Sequence, residues 1–122
     1  MKVRGSPPRV ALAAIALVFA SGVAPASEEA VVLMYHRFGD DRHPSTNIRV
    51  EQLEAQLEYL ADHGFTVVPL ADVLAAVRGD GGLPDRAVAI TVDDAYRSVY
   101  SVGFPLLRER GLPFTVFVAT DP

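Results

Sequence analysis

Two carboxylates stand side by side in the stretch Ile90-Thr91-Val92-Asp93-Asp94-Ala95, where an apolar run that reads as a core strand gives way to polar chain. Adjacent acids leaving a strand point in different directions. One can ligate a metal while its neighbour takes a proton from the water bound there, a division of labour suited to hydrolysis of an unactivated amide or ester. From the residues alone the pair fits a structural role as well. An Asp at a helix N-terminus accepts hydrogen bonds from free N–H groups and opposes the helix dipole.

The chain has three histidines and no cysteine, so any metal must be held by imidazole and carboxylate, and neither a disulfide nor a thiolate site is available. His36 follows the apolar run Val31-Val32-Leu33-Met34-Tyr35, which places it at a strand end. His43 falls in a polar loop and His63 one residue before a helix stop. No two of them share metal-ligand spacing. A histidine in the last helical turn favours the negative end of the dipole, which accounts for His63 without a functional role. His36 is therefore the histidine to set beside the acid pair.

These side chains need a scaffold that brings strand ends together. The Val31–Tyr35 run predicts a buried strand, followed by a polar loop over 39–47. Val50, Leu53, Leu57, Leu60 and Ala61 recur at helical spacing with Glu51, Glu54, Glu58 and Asp62 opposite, and Gly64 stops the helix. A strand is expected over 65–68, a helix over 70–77, a third strand over 87–92, a helix over 96–110 despite Gly103 and Pro105, and a fourth strand over 114–118. Apolar strands alternating with amphipathic helices predict a parallel sheet covered on both faces, either an α/β barrel or a doubly wound sheet. Both architectures put chemistry at the C-terminal strand ends, where Asp93, Asp94 and His36 fall. The chain ends just after its fourth strand, and the expectation is a domain cut there.

At 50% hydrophobic and 21% charged residues, the composition is that of one globular domain. Lys2, Arg4 and Arg9 precede the apolar run 10–20, and Ala24-Pro25-Ala26 supplies small residues for cleavage. Residues 1–26 therefore read as a signal peptide and 27–122 as the mature piece, exported to the periplasm or beyond the cell. The apolar run is short of the roughly 20 residues a spanning helix needs, so no stable membrane span is expected after cleavage. Residues 27–122 hold eight basic and 15 acidic side chains, a net charge of −7, which argues against nucleic acid as a partner.

The chain resembles the polysaccharide deacetylase family, the NodB-homology domain, whose first motif, Thr-Phe-Asp-Asp-Gly, stands here as Thr91-Val92-Asp93-Asp94-Ala95. The likeness extends through Leu33-Met34-Tyr35-His36-Arg37-Phe38, the helix and strand over 52–70, Tyr96-Arg97-Ser98-Val99-Tyr100, and Pro113-Phe114-Thr115-Val116-Phe117-Val118. It implies an α/β fold, the N-terminal part of a distorted (β/α) barrel truncated after about four strands. The implied activity is metal-dependent removal of N-acetyl groups from a polysaccharide, of the poly-N-acetylglucosamine type. Chitin, peptidoglycan and acetyl-xylan are the alternative polymers. By the same resemblance Asp93 is the catalytic base, Asp94 a ligand to a divalent metal, Zn²⁺ by its His and Asp donors, and His36 an active-site neighbour.

The family's His-x-x-x-His pair and its later Arg and His are not in this sequence, so the metal site is expected to be incomplete. A truncated, inactive relative is the competing reading. Two motif residues depart from the pattern, Val92 for Phe and Ala95 for Gly. If the backbone at 95 has positive φ, the Cβ costs about 1–2 kcal/mol and can displace the Asp94 carboxylate; if φ is negative, alanine is harmless. A phosphoryl-transfer reading of the acid pair needs a lysine, and the single lysine, Lys2, lies in the leader. Tyr96, Tyr100 and Phe104 share a helical stripe and are expected in the core rather than as a sugar-stacking platform.

Overall fold

The structure, a computed structural model, describes residues 29–120. The leader and cleavage site expected over 1–26 lie outside the described residues. The elements run β1 (Ala30–Tyr35), β2 (Arg37–Phe38), β3 (Asn47–Ile48), α1 (Val50–Asp62), β4 (Thr66–Val67), α2 (Leu70–Val77), β5 (Ala87–Asp93), a π-helical turn (Val99–Gly103), α3 (Phe104–Glu109) and β6 (Thr115–Phe117). The two-residue strands β2 and β3 pair with each other inside what sequence reading takes as strand end and loop.

β5 organises the molecule. It pairs in parallel with β1 along one edge, from Ala30 opposite Ala87 to Tyr35 opposite Val92. Its other edge is shared: β4 takes the first part at Ala87 and Val88, and β6 takes the last part from Thr91 to Asp93. Every β5 residue from Ala87 to Val92 is buried, because alternate side chains feed two different cores. Ile90 and Val92 pack with Tyr35, Phe38, Leu53 and Leu57. Ala87 and Ala89 pack with Val68, Val73, Ala76 and Leu83 from α2 and the loop after it. This is the parallel α/β arrangement expected, and it is consistent with part of a barrel.

At the start of α1 the Gln52 side chain accepts from the Arg49 N–H and the Gln52 N–H donates to the Arg49 backbone carbonyl, and the helix buries Leu53 and Leu57. It ends where Gly64 takes φ +69°. Ala61, expected on the buried face, is exposed, since the apolar stripe has drifted off the sheet by the last turn. The helix expected over 96–110 is interrupted by the π-helical turn. Pro105 has no N–H to give an i−4 carbonyl, and the Phe104 N–H reaches back five residues to the Val99 carbonyl. Gly103 has an ordinary helical backbone, but a Cβ there would stand 2.7 Å from the Phe38 ring. Its place is set by close packing rather than by backbone freedom.

Two expectations about burial are corrected. β1 was read as a buried strand, yet Val31, Val32 and Met34 are 53, 48 and 62% exposed. The strand has one neighbour, and the α2 layer that covers Ala87 and Ala89 on the same sheet face does not extend over Val32 and Met34. The aromatic stripe was read as core, yet Tyr100 is 79% exposed. It stacks on Phe104, whose ring in turn meets Phe114, and the groove beside them is open. Both departures have one cause: periodicity reports which face is apolar, not whether a partner layer is present.

Candidate active site at the ends of strands 1 and 5

Register brings the candidate residues together. Tyr35 lies opposite Val92, so the next residues of the two strands, His36 and Asp93, leave the sheet side by side. The His36 Nε2 stands 3.8 Å from Asp93 Oδ2, with the two side chains 27 and 32% exposed. That distance is too long for a hydrogen bond but within electrostatic reach. On its other side Asp93 pairs with Phe117 of β6, so the carboxylate sits between two strand ends. It remains partly open to water.

Asp94 begins the turn that follows. Its N–H donates to the Phe117 carbonyl at 2.9 Å, and its backbone takes φ +67°. Ala95 follows at φ +46°, a second left-handed residue in succession. Asp tolerates this region because its short polar side chain can bond locally; alanine does not. Positive φ at 95 is thus realised, and the motif glycine is missing where the backbone calls for one. Asp94 and Ala95 are both exposed, so the Asp94 carboxylate faces solvent.

The loops that carry these residues are tied together a step behind them. Arg37 lays its guanidinium 3.4 Å from the centre of the Tyr96 ring and donates to Thr46 Oγ1 at 2.8 Å. The Phe38 N–H donates to Ser98 Oγ at 3.2 Å. These contacts bridge the segment after β1 and the segment after β5, and so fix the spacing of His36 and Asp93. Thr91 adds a third tie within the strands, its hydroxyl donating to the Leu33 carbonyl. Sequence reading did not find Arg37, Thr46 or Ser98 as a set. Arg37 and Tyr96 lie inside the resembling stretches, but their mutual contact depends on the β1–β5 register, which no local pattern encodes.

Arg37 also lines a half-open cleft of about 520 Å³ beside the acid pair, with Arg42, His43, Tyr96, Arg97 and Asp40 around it. Arg42 grips Asp40 with two hydrogen bonds of 2.8 and 3.1 Å. Those bonds, with the Arg42 and His43 charges, hold the Asp40 carboxyl below the usual carboxylate range. Behind His36, the Tyr35 hydroxyl donates to Gln56 Oε1 at 2.7 Å, and burial pushes its pKa up. His63 lies at the C-terminus of α1, its Nδ1 2.9 Å from the Tyr59 carbonyl and its ring stacked on Tyr59. That is the local role expected of it.

Asp94 and His36 are oxygen and nitrogen donors of the kind that hold Zn²⁺, which takes three protein ligands at a catalytic site. The described residues gather no set of three His, Cys, Asp or Glu side chains about a common point. Asp94 and His36 thus offer donor types that suit the ion without completing a site for it among the described residues.

Residues 80–121 match the family model described as polysaccharide deacetylase. The chain is 32% identical over 80 residues to the poly-beta-1,6-N-acetyl-D-glucosamine N-deacetylase of Escherichia coli K12, covering 64% of this chain and 12% of that protein. Among solved structures it matches IcaB from Ammonifex degensii, with TM-score 0.67 and 34% identity over 76% of this chain and 39% of the other. It also matches a de-N-acetylase from Aggregatibacter actinomycetemcomitans, with TM-score 0.64 and 29% identity over 71 and 36% of the two chains. The chain thus spans about an eighth of that curated relative and somewhat over a third of the solved domains.

Proposed function

We propose, from the premise that this chain belongs to the polysaccharide deacetylase family, that it supplies the base and first ligand of a site hydrolysing N-acetyl groups on a β-1,6-linked N-acetylglucosamine polymer. The observation that carries this reading is the meeting of His36, Asp93 and Asp94 at the C-terminal ends of adjacent parallel strands. Asp93, half-exposed beside an imidazole, accepts the proton of a water attacking the acetyl carbonyl. The C–N bond then breaks as the proton held by Asp93 passes to the departing nitrogen, leaving acetate and a free amine on the sugar. Asp94, aimed outward by its left-handed backbone, is the ligand this chain contributes to a divalent metal, with Zn²⁺ matching the donor types. The substrate in the name of the Escherichia coli relative supports the choice of polymer. Export, with residues 1–26 as the leader, places the chain where such polymers are found.

Acetate release from a β-1,6-linked N-acetylglucosamine oligomer, with Zn²⁺ added, tests the reading. The expected result is turnover that Asp93→Ala abolishes and Asp94→Ala lowers together with bound metal. Absence of turnover in the unaltered chain would overturn it and leave the inactive relative, which the left-handed Ala95 and the incomplete donor set favour.

A further inference from the structure

The chain as a whole is acidic, at net charge −4, yet the cleft next to the acid pair is cationic. Among its lining residues the only acid is Asp40, and Arg42 already neutralises it. Arg37 spends one N–H on Thr46 and lays its face on Tyr96, which orients the guanidinium and leaves further donors for a ligand. The Arg97 guanidinium has no hydrogen-bond or ion-pair partner among the described residues, and the His43 imidazole adds its charge beside Asp40 without a hydrogen bond from its ring. The face of the Tyr96 ring under Arg37 is not available for stacking on a sugar. What remains on offer is charge and planar N–H donors, the chemistry that recognises an oxyanion.

We infer that this cleft is a subsite for an oxyanion, a carboxylate or phosphate ester, carried by the glycan that reaches Asp93. The inference rests on the deacetylase reading for the glycan and on the cleft alone for the charge. Arg37 follows His36 directly, and Tyr96 and Arg97 follow Asp94 by two and three residues, so the cleft is built from the two segments that leave the candidate site, and a glycan running from that site along them brings its anionic group there. The preferred form of the N-acetylglucosamine polymer is then one that bears anionic groups along its length rather than the unsubstituted chain.

The test is titration calorimetry of the 122-residue chain with three probes: a neutral N-acetylglucosamine tetramer, a tetrasaccharide alternating N-acetylglucosamine with glucuronate, and glucose 1-phosphate. The acidic tetrasaccharide should bind about tenfold tighter than the neutral one, the worth of one charge-assisted contact, and should weaken as salt rises. Arg97→Ala should erase that preference and Arg97→Lys should keep part of it. Arg97 is exposed and unpartnered among the described residues, so these changes leave the fold alone. Binding of the phosphate but not the glucuronate probe would support the subsite and assign phosphate as the source. Equal affinity for neutral and acidic glycans, no binding of any probe, or a preference that survives Arg97→Ala would overturn it. Acetate release in the same samples reports separately on the deacetylase reading: release without acidic preference leaves that reading standing alone, and acidic preference without release leaves only the subsite.

Discussion

At the scale of single residues, Ala95 is the position where sequence and backbone disagree. A left-handed alanine costs about 1–2 kcal/mol over glycine, and it sits one residue from the proposed ligand. Ala95→Gly should therefore raise stability by about 1 kcal/mol, after allowing for the greater freedom glycine gives the unfolded chain, as read by denaturant midpoint. If Asp94 is a ligand, the same change should tighten metal binding. A loss of stability on introducing glycine would mean that residue 95 does not take positive φ in solution.

Tyr35 supplies a residue-scale test by pH. Its phenol is buried and hydrogen-bonded to Gln56, and burial raises its pKa above the ordinary value of 10.0. The neutral form is favoured in the fold, so its contribution is fully present below pH 10 and is lost as pH rises through the folded pKa. Tyr35→Phe should cost about 1 kcal/mol at neutral pH and flatten the fall in stability above pH 10, measured by urea unfolding across that range. An unchanged alkaline limb would show that another group governs it.

At the scale of elements, the helical segment from 97 to 109 is held in place by a ring against a backbone. Phe38, 1% exposed, packs on Gly103 so closely that a methyl group would overlap it. Gly103→Ala should destabilise by about 1–3 kcal/mol, and the damage should reach the Phe38–Ser98 tie behind His36 and Asp93. Thermal unfolding of that variant measures the cost. A neutral result would mean that Phe38 has room to move. Helix-propensity scales alone would predict the opposite sign, since alanine is the better helix former.

At the scale of the whole molecule, the exposed apolar residues are grouped. Val32 and Met34 lie on one face of β1, and Phe117 and Val118 at the end of β6. Apolar surface next to strand edges invites association. The 122-residue chain alone should bind a hydrophobic dye and self-associate as its concentration rises. A single cooperative melting transition by calorimetry, with a monomer in solution, would show that these faces tolerate water.

Much of this was legible in the sequence. Helical spacing of apolar residues predicts α1 and α2, and a short continuous apolar run predicts β5, at nearly their observed bounds, because two helices bury one stripe each and the strand is buried on both faces. The Asp93–Asp94 pair at a strand end, with His36 as its neighbour, could be named from residue types and the family resemblance. Three matters belonged to tertiary structure alone. The β1–β5 register set the 3.8 Å approach of His36 to Asp93, and pairing partners are not a local property. The sign of φ at Ala95 came from where β6 and the following helix hold the turn. The gathering of Arg37, Arg97 and His43 into one cleft came from folding two loops against each other, which brings together charges dozens of residues apart in the chain.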